Sequence, residues 1–361
     1  MWIYLLLAAG LFMGWSLGTN DAANAFGTAV ATRVVKYRTA IIIIAVMVLL
    51  GAILLGHNNI DKLSSIATNN EVVASPEDVE SAIETGKLAD LRLKSALKAF
   101  IIFACAAITV FVMSYLKFPV SANQSITGAV IGWGLCYADY SNPTVLKGNL
   151  AEMLEFASTW LINPLGAAVI SFVLVFIVKK FIEKRLTSMS NYDLIVKIGY
   201  LAAGAFSAFS IGQNSSASVT AFYYDATGQG ANLIYGSDGF FTGARIAAIL
   251  GGLAIAIGVL TFSKRVMMTV GGEIAKISQV DGFVVIVASA LTVLLMGKFM
   301  GIPVSTSQSV VGAVIGARLV NGVKTVNFGV FKRIAIAWIS SPTAAGLLTY
   351  LVALATKSYF A

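Results

Sequence analysis

Phe118-Pro119-Val120-Ser121-Ala122-Asn123-Gln124-Ser125-Ile126-Thr127-Gly128-Ala129-Val130-Ile131-Gly132 returns 184 positions later as Ile302-Pro303-Val304-Ser305-Thr306-Ser307-Gln308-Ser309-Val310-Val311-Gly312-Ala313-Val314-Ile315-Gly316. Two further matches keep the same order along the chain. Ser16-x-Gly18-x-Asn20-x-x-Ala23 corresponds to Ser210-x-Gly212-x-Asn214-x-x-Ala217, and Trp160 with Pro164 corresponds to Trp338 with Pro342. Chance is a poor explanation for three ordered matches. The chain divides into a first repeat, 1–178, a charged linker, 179–193, and a second repeat, 194–361.

The material around these motifs is apolar. Of 361 residues, 58% are hydrophobic and 12% charged, with a mean hydropathy of +0.84. Soluble domains carry about 25% charge. Many stretches reach the roughly 20 apolar residues a spanning helix needs. The predicted class is an all-α polytopic membrane protein, because a helix satisfies its own backbone in lipid. The alternating ten-residue segments of a membrane barrel are absent. The net charge of +8 lies in short loops between apolar segments, which implies membrane orientation and no nucleic-acid partner. Cys105 and Cys136 have neither metal-site nor disulfide-framework spacing. His57, the single histidine, sits at a segment end without a catalytic set, so an enzyme is not expected.

Apolar segments are predicted over about 3–31, 39–56, 95–116, 150–178, 194–224, 239–262, 280–297 and 330–356, the fifth of them interrupted by the polar stretch Gly212–Ser218, with the small-residue stretches 128–135 and 310–317 between them. The first is read as retained, since it lacks a basic leader. The loop 57–92 is acidic, and within it Ser75-Pro76-Glu77-Asp78 predicts a capped short helix that Gly86 ends. Placing Arg33, Lys36 and Arg38 in the cytoplasm puts most other basic loop residues there too. It puts the loop 57–92 and both termini outside. Five crossing units per half force the halves into opposite orientations. Two inverted-topology repeats, with interrupted or re-entrant half-helices meeting at a central site, are a secondary-transporter architecture.

Polar residues mark that site. A proline followed by Ser-x-x-Gln-Ser and small residues reads as the start of a half-helix, proline suiting the first turn. Free N–H groups and serine hydroxyls there suit an anion. Close packing explains the Gly-Ala-Val-Ile-Gly tails, but not Ser121, Asn123, Gln124, Ser125, Thr127 and their counterparts. Asp21 stands in the first segment within Gly18-Thr19-Asn20-Asp21-Ala22-Ala23-Asn24-Ala25, where an ionisable group faces a cavity, a partner or an ion. Neither polar cluster contains Lys or Arg. An anion beside Asp21 would be repelled unless a cation bound with it, which points to coupling. Sodium suits the oxygen ligands. A proton on Asp21 and a counter-charge from Arg245 are the other options.

At these residues the chain resembles the inorganic phosphate transporter (PiT) family, whose G-A-N-D-V-A-N-A/S-F-G-T signature is similar to Gly18–Thr28. Its P-[IV]-S-x-[ST]-x motifs resemble 119–125 and 303–309. The resemblance implies phosphate as substrate, an inverted-repeat fold, cation symport, and Asp21 and Asn24 in the cation and substrate site. The chain departs from it where relatives usually carry a second Asn-Asp pair; here Asn214-Ser215 stands instead.

The expected protein is a phosphate importer of the cell membrane, coupled to sodium and working by alternating access. Proton-coupled phosphate or sulfate transport and a channel with re-entrant half-helices are the alternatives. Thr19, Ser121, Asn123, Gln124, Ser125, Ser305, Thr306, Ser307, Gln308 and Ser309 are the expected phosphate ligands. Asp21, Asn20, Asn24, Gln213, Asn214 and Ser215 are the expected sodium ligands. No cofactor is implied, and the coupling ion, sodium or a proton, is cargo. The partners are phosphate, sodium and the lipid bilayer, with a homo-oligomer left open.

Overall fold

The computed structural model describes residues 2–60, 63–64, 74–116, 120–137, 143–182, 189–224, 233–234, 241–274, 278–300, 304–322 and 328–360. These residues form eleven α-helices and no strand. In chain order the helices are α1 (Leu7–Ala31), α2 (Tyr37–Leu55), α3 (Pro76–Glu84), α4 (Leu88–Tyr115), α5 (Ala122–Tyr137), α6 (Pro143–Ile177), α7 (Met189–Thr220), α8 (Gly243–Ile274), α9 (Gln279–Met300), α10 (Thr306–Leu319) and α11 (Phe328–Phe360).

Seven helices among the described residues are long and apolar enough to cross a membrane. Their outward faces carry exposed apolar side chains at helical spacing, such as Leu161, Leu165, Val169 and Phe172 on α6 and Leu347, Leu351 and Leu354 on α11. The interior is mostly apolar but also encloses many serine, threonine and carboxamide side chains. An apolar exterior around such a core suits a protein whose surroundings are hydrocarbon. The chain is a multi-pass membrane protein.

α1 is not among the seven apolar helices, because Gly18–Asn24 dilutes its hydropathy. It is nonetheless the most enclosed helix, buried at every residue from Ser16 to Val30. The polar stretch does not break it, and α7 likewise runs unbroken through Gly212–Ser218. The interruption predicted in the 194–224 segment is therefore absent. Small side chains and carboxamides keep the helical backbone bonds intact while presenting polar groups sideways.

α5 and α10 are half-helices. Their 16 and 14 residues, at about 1.5 Å each, fall short of a roughly 30 Å hydrocarbon core. They begin at Ala122 and Thr306, three residues after the prolines. Ser121 and Ser305 are thus the capping residues, and the expectation of proline in the first turn is corrected; Pro119 and Pro303 lie outside the described residues. In the acidic loop the predicted helix is present as α3. Ser75 Oγ accepts the Asp78 N–H at 3.1 Å, Asp78 Oδ2 accepts the Ser75 N–H at 2.9 Å, and Gly86 follows at φ +67°.

Packing repeats as the sequence does. α1 lies on α8 and α7 on α2; α5 lies on α11 and α10 on α6. Each pair therefore joins elements from different halves. Glycines set the closest approaches. A methyl group on Gly18 would strike the Ile255 carbonyl, and one on Gly212 would strike the Val48 carbonyl. Gly128 is pressed on the Pro342 carbonyl just as Gly312 is pressed on that of Pro164. Pro164 and Pro342 lie inside α6 and α11. At each of these crossings only hydrogen fits between the backbones, which lets the half-helices seat against the long helices.

Candidate functional site

The site lies where α1 and α7 meet the N-termini of α5 and α10. The two half-helix starts touch reciprocally. Asn123 Nδ2, in the first turn of α5, donates to the Val304 carbonyl at 2.9 Å, just before α10. Ser307 Oγ, in the first turn of α10, donates to the Val120 carbonyl at 3.3 Å, just before α5. Asn123 and Ser307 occupy corresponding repeat positions, as do Val120 and Val304.

α1 and α7 pin the same two carbonyls. Asn20 Nδ2 donates to Val120 O at 3.1 Å, and Asn214 Nδ2 donates to Val304 O at 2.8 Å. Asn20 and Asn214 again correspond. Four side chains thus satisfy two carbonyls that would otherwise be stranded in the interior, where an unpaired polar group is costly.

Asp21 is buried at 4% exposure. Its Oδ2 accepts the Thr306 hydroxyl at 2.8 Å, and its Oδ1 accepts Asn20 Nδ2 and Asn24 Nδ2 at 3.2 Å each. Asn24 Nδ2 also lies 3.2 Å from Thr306 Oγ1 and 3.2 Å from Ser307 Oγ. Asp21 has no ion pair among the described residues, where the pairs are Lys94–Asp90 and Lys179–Asp281. Arg245, the third residue of α8, makes no ion pair with Asp21, so it does not serve as its counter-charge. A carboxylate held only by hydroxyl and carboxamide groups can accept a small cation without first breaking a salt bridge.

The half-helix starts carry the remaining polar groups. Ser121 Oγ accepts the Gln124 N–H at 3.3 Å, and Ser305 Oγ accepts the Gln308 N–H at 3.2 Å. Ser125 and Ser309 return their hydroxyls to the carbonyls of Ser121 and Ser305. Gln124 and Gln308 are 2% and 1% exposed, yet neither atom of the Gln124 carboxamide, nor Gln308 Oε1, has a protein partner. Such orphaned groups are rare in a folded interior, and they sit in the two first turns whose amides carry positive partial charge.

Half of the predicted residues are brought into one network. Asp21, Asn20, Asn24, Thr306, Ser307 and Asn123 form one hydrogen-bonded cluster with Val120 and Val304, and Asn214 joins it through Val304. Ser215 is fully buried and accepts from Asn214 Nδ2 at 3.2 Å. Ser121, Ser125, Ser305 and Ser309 and the N–H groups of Gln124 and Gln308 bond within their own turns or to Asn163, and two further residues stand apart from both groups. Thr19 gives its hydroxyl to Ser16 O on its own helix at 2.7 Å, and Gln213 Oε1 is buried without a partner.

Asn163 was not foreseen. It lies on α6 before Pro164, is 1% exposed, donates to Ser305 O at 2.8 Å and accepts from Ser309 Oγ at 2.7 Å. It braces the start of α10. Its sequence signal is a lone carboxamide beside a mid-segment proline, which means little until α10 is known to pack there.

The model of the phosphate transporter family matches residues 17–349. A protein of Pyrococcus horikoshii, provisionally named a phosphate permease, is 27% identical, with 97% of each chain covered. Inorganic phosphate transporter 2-1, chloroplastic, of Arabidopsis thaliana is 24% identical over 98% of this chain and 72% of its own. A solved structure described as the sodium-dependent phosphate transporter shares the fold. Its TM-score is 0.75 at 23% identity, covering 99% of this chain and 100% of that one. With a family model spanning nearly its whole length, this chain belongs to the phosphate transporter family, a family of transporters and not of enzymes.

Proposed function

We propose that the protein is a secondary-active importer that carries inorganic phosphate with sodium by alternating access. The carrying observation is the meeting of a buried, unpaired carboxylate with two half-helix N-termini. Thr306 belongs to both parts: it begins α10 and donates to Asp21. A cation at Asp21, assisted by Asn20 and Asn24, would remove the repulsion an arriving anion meets. Phosphate would lie against the first turns of α5 and α10. There the free backbone amides, the hydroxyls of Ser121 and Ser305, and the carboxamides of Gln124 and Gln308 supply donors, while Ser125 and Ser309 would have to release the bonds their hydroxyls now make. Each ligand is weak alone, so the empty or half-loaded site does not leak one gradient into the other.

Repeats 1–178 and 194–361 in opposite membrane orientations would let the two half-helices approach from opposite sides. Transport would then be a rocking of elements about the fixed site. The basic loops at Arg33–Arg38 and 179–193 would be cytoplasmic and both termini external.

The test is labelled phosphate uptake into proteoliposomes containing the full chain, with sodium and proton gradients imposed separately. Uptake driven by inward sodium is the expected result. Uptake that ignores sodium and follows a proton gradient would replace the coupling ion, and uptake indifferent to both would end the symport reading.

A further inference from the structure

The two halves of the site are built alike but not charged alike. Asn20-Asp21 corresponds to Asn214-Ser215, and Thr306 corresponds to Ala122. The backbone anchors keep the relation, Asn20 to Val120 and Asn214 to Val304. The chemistry hung on them does not. In the first half a carboxylate meets a hydroxyl donor at 2.8 Å. In the second half both the carboxylate and the hydroxyl at the position matching its donor are missing.

The second half is also occupied differently. Asn214 Oδ1 accepts the Val304 N–H at 2.9 Å, while its Nδ2 donates to the Val304 carbonyl at 2.8 Å. The carboxamide grips one residue's backbone with both ends, and its oxygen is engaged. Ser215 Oγ, fully buried, receives the same Asn214 Nδ2 at 3.2 Å. A buried cation needs oxygens to turn toward it and a negative charge to offset lost hydration. The first half has the charge, whereas the second has an engaged Asn214 and only neutral oxygens beside it, Gln213 Oε1 and the hydroxyls of Ser216 and Ser218.

We infer that one sodium ion accompanies each phosphate, bound at the Asp21 half alone. The inference rests on the sodium-coupled reading above. The cation count follows from the single carboxylate, and with phosphate carried as its monoanion that count makes the cycle electroneutral. Two helix N-termini contribute roughly half a positive charge each, about one together, which offsets Asp21 in the empty site. One sodium and one monoanion leave that balance unchanged, so empty and loaded forms carry nearly equal charge. A dianion with a single sodium would leave about one negative charge uncompensated in the interior.

The experiment uses the full chain in proteoliposomes, with radiolabelled sodium and phosphate followed in parallel. The expected flux ratio is about one, with a sodium Hill coefficient of about one. A potassium diffusion potential should leave steady-state accumulation unchanged. By contrast, one net charge moved per cycle would shift it about fifty-fold for roughly 100 mV. A ratio of two, or accumulation that follows the potential, overturns the inference while leaving sodium coupling intact. Uptake indifferent to sodium overturns both. The double variant Ser215→Asp with Ala122→Thr restores the missing pair and should raise the flux ratio to about two. A transporting double variant that keeps a ratio of one overturns the assignment of the lost site to these positions.

Discussion

Thr306 donates a 2.8 Å hydrogen bond to Asp21 across 285 positions of sequence. This contact joins the carboxylate of α1 to the first turn of a half-helix from the other end of the chain. On the proposed reading, a cation that draws on the carboxylate would act on the residue that opens the helix end facing the anion. Coupling between the two ligands would then need no intermediary.

Asp21→Asn keeps the shape and removes the charge. Hydrogen bonds to a charged group are worth about 2 kcal/mol, so initial sodium-driven phosphate uptake should fall at least about thirty-fold. Detergent-extracted variant should elute and melt like the parent, since a carboxamide fills the same space. Normal uptake by this variant would remove Asp21 from the mechanism.

Thr306→Val deletes only the hydroxyl. Half-saturating sodium in the uptake assay should rise about ten-fold, the equivalent of about 1.4 kcal/mol. Thr306→Ser should recover most of it. If valine and serine behave alike, the hydroxyl does not serve the carboxylate.

Asn163→Ala takes away the brace on α10, removing its bonds to the Ser305 carbonyl and to Ser309 Oγ and leaving those two groups only the bonds within their own turn. Half-saturating phosphate should rise about ten-fold, within the range for a lost buried partner. Half-saturating sodium should move much less, because Asp21 keeps its own donors. Equal shifts in both would mark a general loss of structure.

Gly212→Ala and Gly18→Ala should destabilise alike. Each added methyl meets a backbone carbonyl, Val48 or Ile255, that cannot swing aside. Overpacking of this kind costs about 1–3 kcal/mol, seen as a lowered melting temperature in detergent. Gly322→Ala is the contrast: nothing lies within 4 Å of the added methyl, and its φ of +100° leaves only backbone strain.

Several features of this protein are determined by local sequence. The apolar runs fix helices of membrane length, because a helix is the form that satisfies its own backbone in lipid. The Ser75–Asp78 cap, the half-helix starts after Val120 and Val304, and the singular carboxylate at Asp21 are equally local. Even the correspondence of Asn20 with Asn214 and Val120 with Val304 can be read from two offsets along the chain. Partnership cannot be read that way. That Thr306 serves Asp21, that Asn163 holds Ser305, and that Asn214 clamps Val304 with both ends of its carboxamide depend on helices crossing between halves. Those crossings are decided by backbone approach at glycines such as Gly18, Gly128, Gly212 and Gly312, where absent side chains leave room and tertiary packing chooses the neighbour. Sequence shows that the second half lacks an acid. Only the fold shows that Thr306 is the donor Asp21 relies on, which gives the alanine at the matching position 122 its meaning, and that the remaining carboxamide is already engaged.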